Sequence, residues 1–495
     1  MYAPQVLLPI LIPLTGAAMA LLLRDRLRIQ AYWTLSVMVA SLVASAWLLW
    51  MTYIYQTALV FQPGGWAAPY GITFIADPLS ALMVLMVQLV LVCGVIYALG
   101  STEKSNSIPT FYPLFLALGT GLTGTMLTGD LFNLFVFTEL MVISGAILAA
   151  ISDDRFGIEA AYKYFYISLL ASLFLLLAAG SLYVSYGTLN MADLSAHIAT
   201  DPNRPLVMMA MVALIIFFLT KSAVAPFHFW QPDFHAVSPT AISAMLSSVV
   251  VKLGVYGFLR MSTLWFQPHA DLLRTLLIGL GVIGVLFGSF AAVGADHTKR
   301  MLAYSTLGQI GYILVAVGWG TPLALLAALV YIFNHSLIKS ALLMLAGAVA
   351  SRAPVKTASF VMVAGVGSAM PFAGALFFVG GMALAGIPPT NGFISKLALF
   401  QSGVEIGEVA TLILIAVGSL ISIVYTGRAY QVIFWGPRSS PGELRPYGDR
   451  LIAPALLIGL CLLFGLWGEP LLAVARASVT WMLNPELYIQ IVLGR

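Results

Sequence analysis

The chain has 495 residues, of which 61% are hydrophobic and only 8% are charged, with a net charge of +4 and a mean hydropathy of +0.98. Soluble globular domains carry about 25% charged residues, so this composition excludes a soluble globule and predicts an all-α polytopic membrane protein. The two cysteines, Cys93 and Cys461, lie inside apolar runs. They therefore indicate neither a disulfide framework nor a thiolate metal site.

Charged residues and Pro or Gly residues interrupt the sequence and divide it into fourteen apolar runs long enough to cross a bilayer. The first run follows the N-terminus without a cleavage signal, so we expect it to be retained. Two runs, 205–236 and 359–403, are too long for one straight crossing, and we expect both to break within the membrane. The residues that favour these breaks are Pro226, Pro232, Gly386, Pro388, Pro389 and Gly392. The other predicted spans are 5–23, 31–53, 77–99, 109–129, 131–152, 158–186, 238–260, 271–293, 301–319, 322–349, 409–434 and 451–475.

Lysine and arginine are distributed unevenly between the alternate loops. One face, called the basic face below, carries fourteen of them: Arg24, Arg26, Arg28, Lys104, Arg155, Lys163, Lys299, Arg300, Arg352, Lys356, Arg428, Arg438, Arg445 and Arg450. The opposite face carries five: Arg204, Arg260, Arg274, Arg476 and Arg495. By the positive-inside rule, the basic face is cytoplasmic and both termini lie outside.

The remaining four lysines, Lys221, Lys252, Lys339 and Lys396, fall within predicted spans. A lysine at the centre of a membrane helix costs roughly 2.5–3.5 kcal/mol on insertion scales, so four of them indicate a function. Glu139 is the only acidic residue well inside a span, and we expect it to pair with Lys221. One such pair could be a static lock between two helices. Four lysines with one glutamate leave a surplus of buried cations, which favours a proton relay.

Other polar residues within or beside the spans are candidates for the same path. His335 and Lys339 are four residues apart and share one helix face, which could line a hydrated channel. Lys163 lies near the basic end of its span, where it could either extend to that surface or feed the path.

Three side chains with metal-binding chemistry follow the first break: His228, Asp233 and His235. Their spacing is not that of a compact metal site, so we expect none there.

A weak internal symmetry divides the chain. Spans four to eight and nine to thirteen each form a set of five, and the fourth member of each set is the broken one. A repeat with an odd number of spans inserts the second time in the opposite orientation, which is a common transporter plan. We therefore expect a three-helix segment at 1–108, a first repeat at 109–262, an inverted second repeat at 263–435, and a last helix with an interfacial tail at 436–495, each repeat supplying one half-channel.

Seven segments together resemble the antiporter-like subunits shared by Mrp cation/proton antiporters and respiratory complex I. They are FTEL at Glu139, EAAYKYF at Lys163, TKSAVAPFHFWQPDFHAVSPT at Lys221, SAMLSSVVVKLGVY at Lys252, DHTKRMLAYSTLGQIGY at 296–312, HSLIK at His335, and GIPPTNGFISK at Lys396. The resemblance implies fourteen helices in two inverted five-helix repeats, with the seventh and twelfth helices broken. It also implies roles: Glu139 modulates Lys221, Lys252 connects the two halves, His335 and Lys339 continue the polar axis, and Lys396 belongs to the exit.

Within that family, the chain is most similar to the D-type branch of the Mrp antiporters, because it carries WMLNPELYIQIVLG near its end and lysine rather than glutamate at 396. SAMLSSVVVK lacks the histidine that many complex I members have before the lysine, which leaves His228 or water as the proton donor between Lys221 and Lys252. The resemblance implies the proton-conducting subunit of a sodium/proton antiporter in a prokaryotic inner membrane, working with Mrp subunits of the A, B, C, E, F and G types. It implies no cofactor, no covalent chemistry and no nucleic acid.

Two alternatives remain open at this point. The chain could be a proton-pumping subunit of a redox complex that oxidises NADH or a related donor. It could also be a membrane scaffold whose buried ion pairs are fixed.

Overall fold

The computed structural model describes residues 3–151, 155–438 and 442–494, most of which are helical. The helices in the first half are α1 (Leu8–Leu22), α2 (Leu27–Tyr55), α3 (Pro78–Gly100), α4 (Phe111–Leu127), α5 (Leu131–Ala150), α6 (Arg155–Tyr186), α7 (Met191–Thr200), α8 (Val207–Lys221), α9 (Trp230–Val237), α10 (Thr240–Met245) and α11 (Lys252–Arg260). Those in the second half are α12 (Ala270–Gly294), α13 (Thr298–Trp319), α14 (Pro322–Arg352), α15 (Phe360–Val363), α16 (Pro371–Ala385), α17 (Asn391–Glu405), α18 (Val409–Tyr430), α19 (Ile452–Leu466), α20 (Glu469–Met482) and α21 (Pro485–Leu493).

Some of these helices are joined or flanked by tighter and wider turns. Three of these turns are π-helical and lie at Leu246–Val250, Met261–Trp265 and Gln431–Trp435. The first two make α10 and α11 one continuous span, Thr240–Trp265. Single 3₁₀ turns lie at Pro4–Leu7, Pro63–Gly65, Lys104–Ser107, Gln267–His269 and Val366–Ala369.

The helices confirm the predicted all-α polytopic membrane protein. Among the described residues, ten helices are long and apolar enough to cross a bilayer, and up to twelve qualify if each of two bent pairs is one span. The apolar helices α4 and α8 are shorter than this criterion requires. Every predicted span contains at least one of the helices, but the total of fourteen crossings stays a prediction.

The centre of the fold is formed by the span from α10 to α11, which is wholly buried, and by α14, which is buried except near its two ends. Helices α1, α2, α12 and α18 are only partly buried and expose many large apolar side chains, as lipid-facing helices do. A helix that is buried on all sides has no solvent-exposed side on which to place polar side chains. Any polar side chain on α14 must therefore find a partner inside the protein.

The first predicted break is confirmed between α8 and α9. Helix α8 ends at Lys221, Ala223 has a positive φ of 53°, and the chain becomes helical again only at Trp230. Gly254 of α11 packs against this break, because a Cβ there would lie 2.1 Å from Ser222 Oγ. Pro226 lies inside the interruption and is exposed.

The second predicted break is confirmed between α16 and α17. Helix α16 ends at Ala385 and is followed by Gly386, whose φ of 83° lies in the left-handed region that glycine adopts most easily. Pro388 and Pro389 occupy the connection to Asn391. The two breaks are not equivalent, since Lys221 is the last residue before its break whereas Lys396 follows its own.

Two predicted spans are wrong in shape. The segment predicted as one span at 451–475 bends by 78° between α19 and α20, where Gly468 interrupts the helix. In the segment predicted at 359–403, residues Phe360–Ala369 lie at 116° to α16, a bend that the sequence interpretation did not include. A hydropathy window detects the apolar character of these residues but not their change of direction.

Both ends of the described chain lie on one face of the fold, beside a small hairpin. Strand β1 (Leu59–Phe61) pairs antiparallel with β2 (Phe74–Ala76). The amide of Ala3 donates to Val60 O at 2.8 Å, and Gln62 Nε2 donates to Val492 O at 3.3 Å.

A buried ion pair joins α3 to α11 near the same face. Arg260 Nη1 and Nη2 donate to the two carboxylate oxygens of Asp77 at 2.7 and 2.9 Å, and Arg260 Nε donates to Tyr256 OH at 3.0 Å. Both charged side chains are at most 4% exposed. The prediction that Arg260 is a surface charge is therefore wrong, because its counter-ion lies 183 residues away in sequence.

Asp77→Asn should destabilise the protein, because it leaves Arg260 buried without a counter-ion. Removing one partner of a buried ion pair costs about 3–5 kcal/mol. Burial alone would raise the pKa of Asp77, but the Arg260 charge and hydrogen bonds from Arg260 and Ser80 hold that pKa below its ordinary value of 3.8. The stabilisation is therefore complete above that ordinary value and is lost as the pH falls through the lower, folded-state pKa.

The measurement is the melting temperature of the detergent-purified protein. Asp25→Asn is the matched control, because the Asp25 side chain is 89% exposed beside Arg24. Equal melting temperatures for the two variants would contradict a stabilising role for the buried pair.

Candidate functional site

All four lysines predicted to lie at depth are buried. The exposed fractions are 3% for Lys221, 0% for Lys252, 0% for Lys339 and 5% for Lys396, and that of His335 is 1%. A buried ammonium is costly unless oxygen or nitrogen atoms replace its water. These five residues are called the lysine path below, and the polar atoms around each one show how it is accommodated.

Lys221 lies at the carboxyl end of α8, immediately before the first break. Its Nζ donates to Ser168 O of α6 at 3.3 Å and lies 5.6 Å from the centre of the Phe217 ring. The carboxyl end of a helix carries a partial negative charge, which favours an ammonium there. The break thus places the lysine where the backbone stabilises its charged form.

Glu139 and Lys221 do not contact each other directly, and their pairing stays a prediction. Helix α6 lies between α5 and α8, and within the described part of the chain no ion pair joins the two side chains. Instead, Ser172 Oγ contacts both Glu139 Oε1 and Ser168 O, and Ser168 O is the atom that accepts from Lys221. The carboxylate and the ammonium are therefore connected through two serines of one helix turn.

Lys252 and His335 of the lysine path contact each other directly, with 2.7 Å between Nζ and Nδ1. The π-helical turn Leu246–Val250 directly precedes Lys252, and such turns often mark functional positions in helices. An imidazole nitrogen accepts a hydrogen bond only when it is unprotonated. The contact therefore holds a single proton between a lysine and a histidine, with either residue as donor.

Lys339 lies one helix turn from His335 on α14 and points towards α13, as the spacing of four residues predicted. Its Nζ donates to Leu302 O and to Ser305 Oγ. The hydroxyl of Thr306 also donates to Leu302 O, at 3.1 Å. A group of hydroxyl and carbonyl oxygens on α13 thus takes the place of water around this ammonium.

Lys396 contacts the carboxyl end of the half-helix that precedes its break. Its Nζ donates to Ala385 O at 2.7 Å and to Ser419 Oγ at 2.8 Å, and lies 5.2 Å from the centre of the Tyr312 ring. The last carbonyls of a helix have no partner within the helix. The break at Gly386 therefore provides the oxygen that the buried ammonium needs.

A pair of buried amides connects α14 to the start of α17. Asn334 Nδ2 donates to Asn391 O at 3.0 Å and to Ser395 Oγ at 2.9 Å, and Asn391 Nδ2 donates to Asn334 Oδ1 at 3.0 Å. Asn334 precedes His335, and Ser395 precedes Lys396. The sequence interpretation missed these amides, although an asparagine in the middle of a long apolar run such as YIFNHSLIK is a recognisable signal.

The candidate accessory residues lie outside the lysine path. Lys163 Nζ contacts Glu159 at 2.7 Å and Asp233 at 3.3 Å, and Arg300 contacts Asp233 at 3.2 Å. These side chains are 40–51% exposed, so of the two roles left open for Lys163, the structure shows the surface position.

His228 makes no direct contact with the lysine path among the described residues, so its role as a proton donor stays a prediction. Its ring packs edge-on against Phe287 at 4.6 Å, and no hydrogen bond between described residues links it to Lys221 or Lys252. Within the described residues, His, Cys, Asp and Glu side chains form no group of three that could hold a metal ion.

Comparison with known proteins identifies relatives along nearly the whole chain. Residues 128–422 match the family described as NADH:quinone oxidoreductase/Mrp antiporter, transmembrane. The chain is 32% identical over 490 residues to the D subunit of the Na⁺/H⁺ antiporter of Bacillus subtilis, with 99% of each chain covered. The matched family range contains both breaks and the entire lysine path.

Two solved structures share the fold. One is the Mrp complex from Dietzia sp. DQ12-45-1b, with a TM-score of 0.90 and 27% identity. The other is the membrane-bound sulfane sulfur reductase, an archaeal respiratory membrane complex, with a TM-score of 0.91 and 28% identity. Each comparison covers 99% of both chains.

Gly386→Ala should disturb the second break and the lysine beside it. The alanine must adopt a left-handed conformation, at a cost of roughly 1–2 kcal/mol, and its Cβ would lie 2.5 Å from Lys396 Cδ. We expect the melting temperature of the purified protein to fall. Gly427→Ala is the control, since a Cβ at Gly427 meets no atom within 4 Å. The same melting temperature in both variants would show that Gly386 is not constrained.

Proposed function

Because the chain belongs to the NADH:quinone oxidoreductase/Mrp antiporter transmembrane family, we propose that it is the proton-translocating subunit of a multisubunit antiporter that exchanges sodium for protons. The observation that carries this proposal is the lysine path, in which four lysines and a histidine are buried on and between the two broken helices, each beside polar atoms that take the place of water. A scaffold with fixed ion pairs would contain matched charges. Instead, no carboxylate of the described residues lies within 4 Å of any of the four lysine ammonium groups.

The residues of the path take successive roles. Glu139 modulates the charge of Lys221 through Ser172 and Ser168, and Lys252 with His335 passes the proton between the two halves. Lys339 continues the path along α14, and Lys396 delivers the proton at the exit. The repeats at 109–262 and 263–435 then supply one half-channel each, with the breaks at Pro226 and at Pro388 and Pro389 giving access to the buried lysines.

We assign this chain to a complex with the other Mrp subunits, of the A, B, C, E, F and G types, in a prokaryotic cell membrane. The solved Mrp complex with the same fold supports this assignment. So does Glu139, a carboxylate only half-buried in the middle of an apolar helix, where a neighbouring subunit would shield it from lipid. The excess of Lys and Arg on the basic face supports both termini outside, and it persists when the buried Arg260 is left out of the count.

A second candidate function is a proton-pumping subunit of a redox complex. The observation that favours it is the equally close fold of a chain in the membrane-bound sulfane sulfur reductase. Flavin or iron–sulfur clusters in the purified complex would favour this second candidate over the antiporter.

Lys221→Ala should abolish antiport while the complex still assembles, because no other ammonium occupies the end of α8. We expect sodium-driven proton flux in membrane vesicles to fall at least about tenfold, the equivalent of 1.4 kcal/mol or more in the barrier. Arg28→Ala is the control, since Arg28 is an exposed cation on the basic face. Full antiport by an assembled Lys221→Ala complex would refute the relay.

Ser172→Ala tests whether the serine bridge carries the influence of Glu139. If Ser172 is the only connection between Glu139 and Lys221, the double variant Glu139→Gln with Ser172→Ala should show the same proton flux as Glu139→Gln alone. The effects of two coupled residues do not add. Ser181→Ala is the control on the same helix, because the Ser181 hydroxyl bonds only to Leu177 O in its own helix. Strictly additive losses in the flux assay would mean that Glu139 acts on Lys221 by another route.

A further inference from the structure

A groove of about 760 Å³ lies on the membrane-facing surface between α2, α3, the start of α16 and α19. It is separate from the lysine path. All of the described residues that line it are apolar, if the thiol of Cys93 is counted as a small hydrophobic group. Exposed apolar hollows of this kind mark places where a membrane component or another protein binds. The groove therefore requires an occupant made of hydrocarbon.

The length of the groove matches one leaflet of a bilayer. Along α19, the lining residues run from Leu451, which directly precedes the helix, to Leu463, a rise of about 18 Å at 1.5 Å per residue. On α3, they run from Leu89 to Ile96, in the half of the helix nearer the basic face. One leaflet provides about 15 Å of a hydrocarbon core of about 30 Å. A single acyl chain therefore fits along the groove, whereas a membrane-spanning helix would extend far beyond it.

An unpaired cation, Arg450, stands at the basic-face end of the groove. The Arg450 amide donates to Gly100 O at 2.9 Å, and a Cβ at Gly100 would lie 2.8 Å from Arg450 Cβ. Arg450 thus bridges the end of α3 and the start of α19, next to the lining residue Leu451. Its side chain is exposed and makes no hydrogen bond or ion pair with the described part of the chain.

The adjacent carboxylate, Asp449, does not neutralise this cation. Asp449 is buried, and its Oδ2 accepts from Tyr97 OH at 2.6 Å, while its Oδ1 accepts from the amide and the hydroxyl of Thr102 at 2.7 and 2.8 Å. No side chain caps the first turn of α19, so the free amide groups there add a partial positive charge. The basic-face end of the groove is therefore complementary to a phosphate group.

We propose that the groove binds an acyl chain of an anionic phospholipid from the basic-face leaflet, with the lipid phosphate at Arg450 and the first turn of α19. A zwitterionic phospholipid offers the same chain and phosphate but brings a cation of its own, so Arg450 and the helix dipole favour the anionic lipid. This lipid site goes beyond the proposed function, because its binding is measured without antiport.

The bound chain supports α19 beside the second break. The groove covers one side of α19, and at 3.6 residues per turn Ile458 and Gly465 lie on the other side. A Cβ at Gly465 would lie 2.1 Å from Pro389 O, in the connection between α16 and α17. A Cβ at Gly380 of α16 would lie 3.1 Å from Ile458 Cδ1. A lipid in the groove therefore contacts the two helices that meet next to this break.

Headgroup recognition is tested by Arg450→Gln in the whole complex, reconstituted in phosphatidylcholine vesicles with a small fraction of phosphatidylglycerol that carries a photoreactive group in its acyl chain. Mass spectrometry locates the crosslinks. We expect them on the groove residues of α3 and α19, with at least about fivefold fewer in the variant, since one cation at the surface is lost. Arg450→Lys keeps the charge and should keep the crosslinks.

Arg155→Gln is the matched control for the lost charge. Arg155 is another exposed cation of the basic face, at the start of α6, which packs mainly against α5, α8 and α9. Equal crosslinking of the groove in Arg450→Gln and Arg155→Gln overturns the proposal.

The place of the acyl chain is tested by Gly459→Trp. Gly459 lines the groove, and a Cβ there meets no atom within 4 Å, so the indole occupies the space of the lipid without displacing the protein. We expect the crosslinks on α3 and α19 to disappear. Gly279→Trp is the control, an exposed glycine of α12 with equally open surroundings. Unchanged crosslinking in Gly459→Trp places the lipid elsewhere and overturns the proposal.

A cysteine at Leu456 distinguishes a lipid from a protein segment in the groove. Leu456 lines the groove and is 49% exposed, so in the delipidated complex Leu456→Cys should react with an apolar maleimide. Added phosphatidylglycerol should slow this reaction, and phosphatidylcholine should not. Ile283→Cys is the control, 53% exposed on α12, and should react alike with either lipid. A Leu456→Cys variant that stays unreactive without lipid shows that another protein segment covers the groove, and overturns the lipid site.

Discussion

The structure depends on one requirement: an ammonium buried in a membrane needs oxygen or nitrogen atoms in place of water. The carbonyl groups of an unbroken helix already bond within the helix, and those of Ser168 and Leu302 accept from a lysine in addition. The two breaks change this by ending a helix in mid-membrane. Lys396 takes the carbonyl of Ala385, the last residue of α16, and Lys221 occupies the end of α8, where the helix dipole favours a cation. The breaks and the buried lysines are therefore parts of one arrangement.

The same requirement determines where the small residues lie. Gly254 allows α11 to approach the break beside Ser222, and Gly386 leaves room for the aliphatic chain of Lys396. Gly347 of α14 does the same for Thr240 at the start of α10. In each case, a side chain would displace a polar group from the position in which it is hydrogen-bonded. Close backbone approach is thus the means by which this fold brings oxygen atoms to its buried charges.

Much of the fold and of the path could be predicted from the sequence, because the signals were local. A lysine within an apolar run, a Pro/Gly cluster and the spacing of His335 and Lys339 each carry their meaning within a few residues. The contacts that could not be predicted join distant residues. Nothing near Ser172 distinguishes it from other serines of the same helix, yet it contacts Glu139. Arg260 was assigned to the surface because its counter-ion is on another helix, and the bend after α19 changes direction without changing hydropathy.

The lysine path contains more lysines than there are carboxylates near it. Its lysines and histidine therefore cannot all be protonated at the same time. Lys252 and His335, 2.7 Å apart, hold a single proton between them, and Lys339 lies one turn away on the same buried helix. Adding a proton at one of these sites raises the cost of charging its neighbours, because like charges repel strongly in a medium of low dielectric constant. A proton that arrives at Lys339 therefore favours release from the Lys252 and His335 pair. In the proposed function, this electrostatic repulsion between buried cations is the interaction that links one half of the protein to the other.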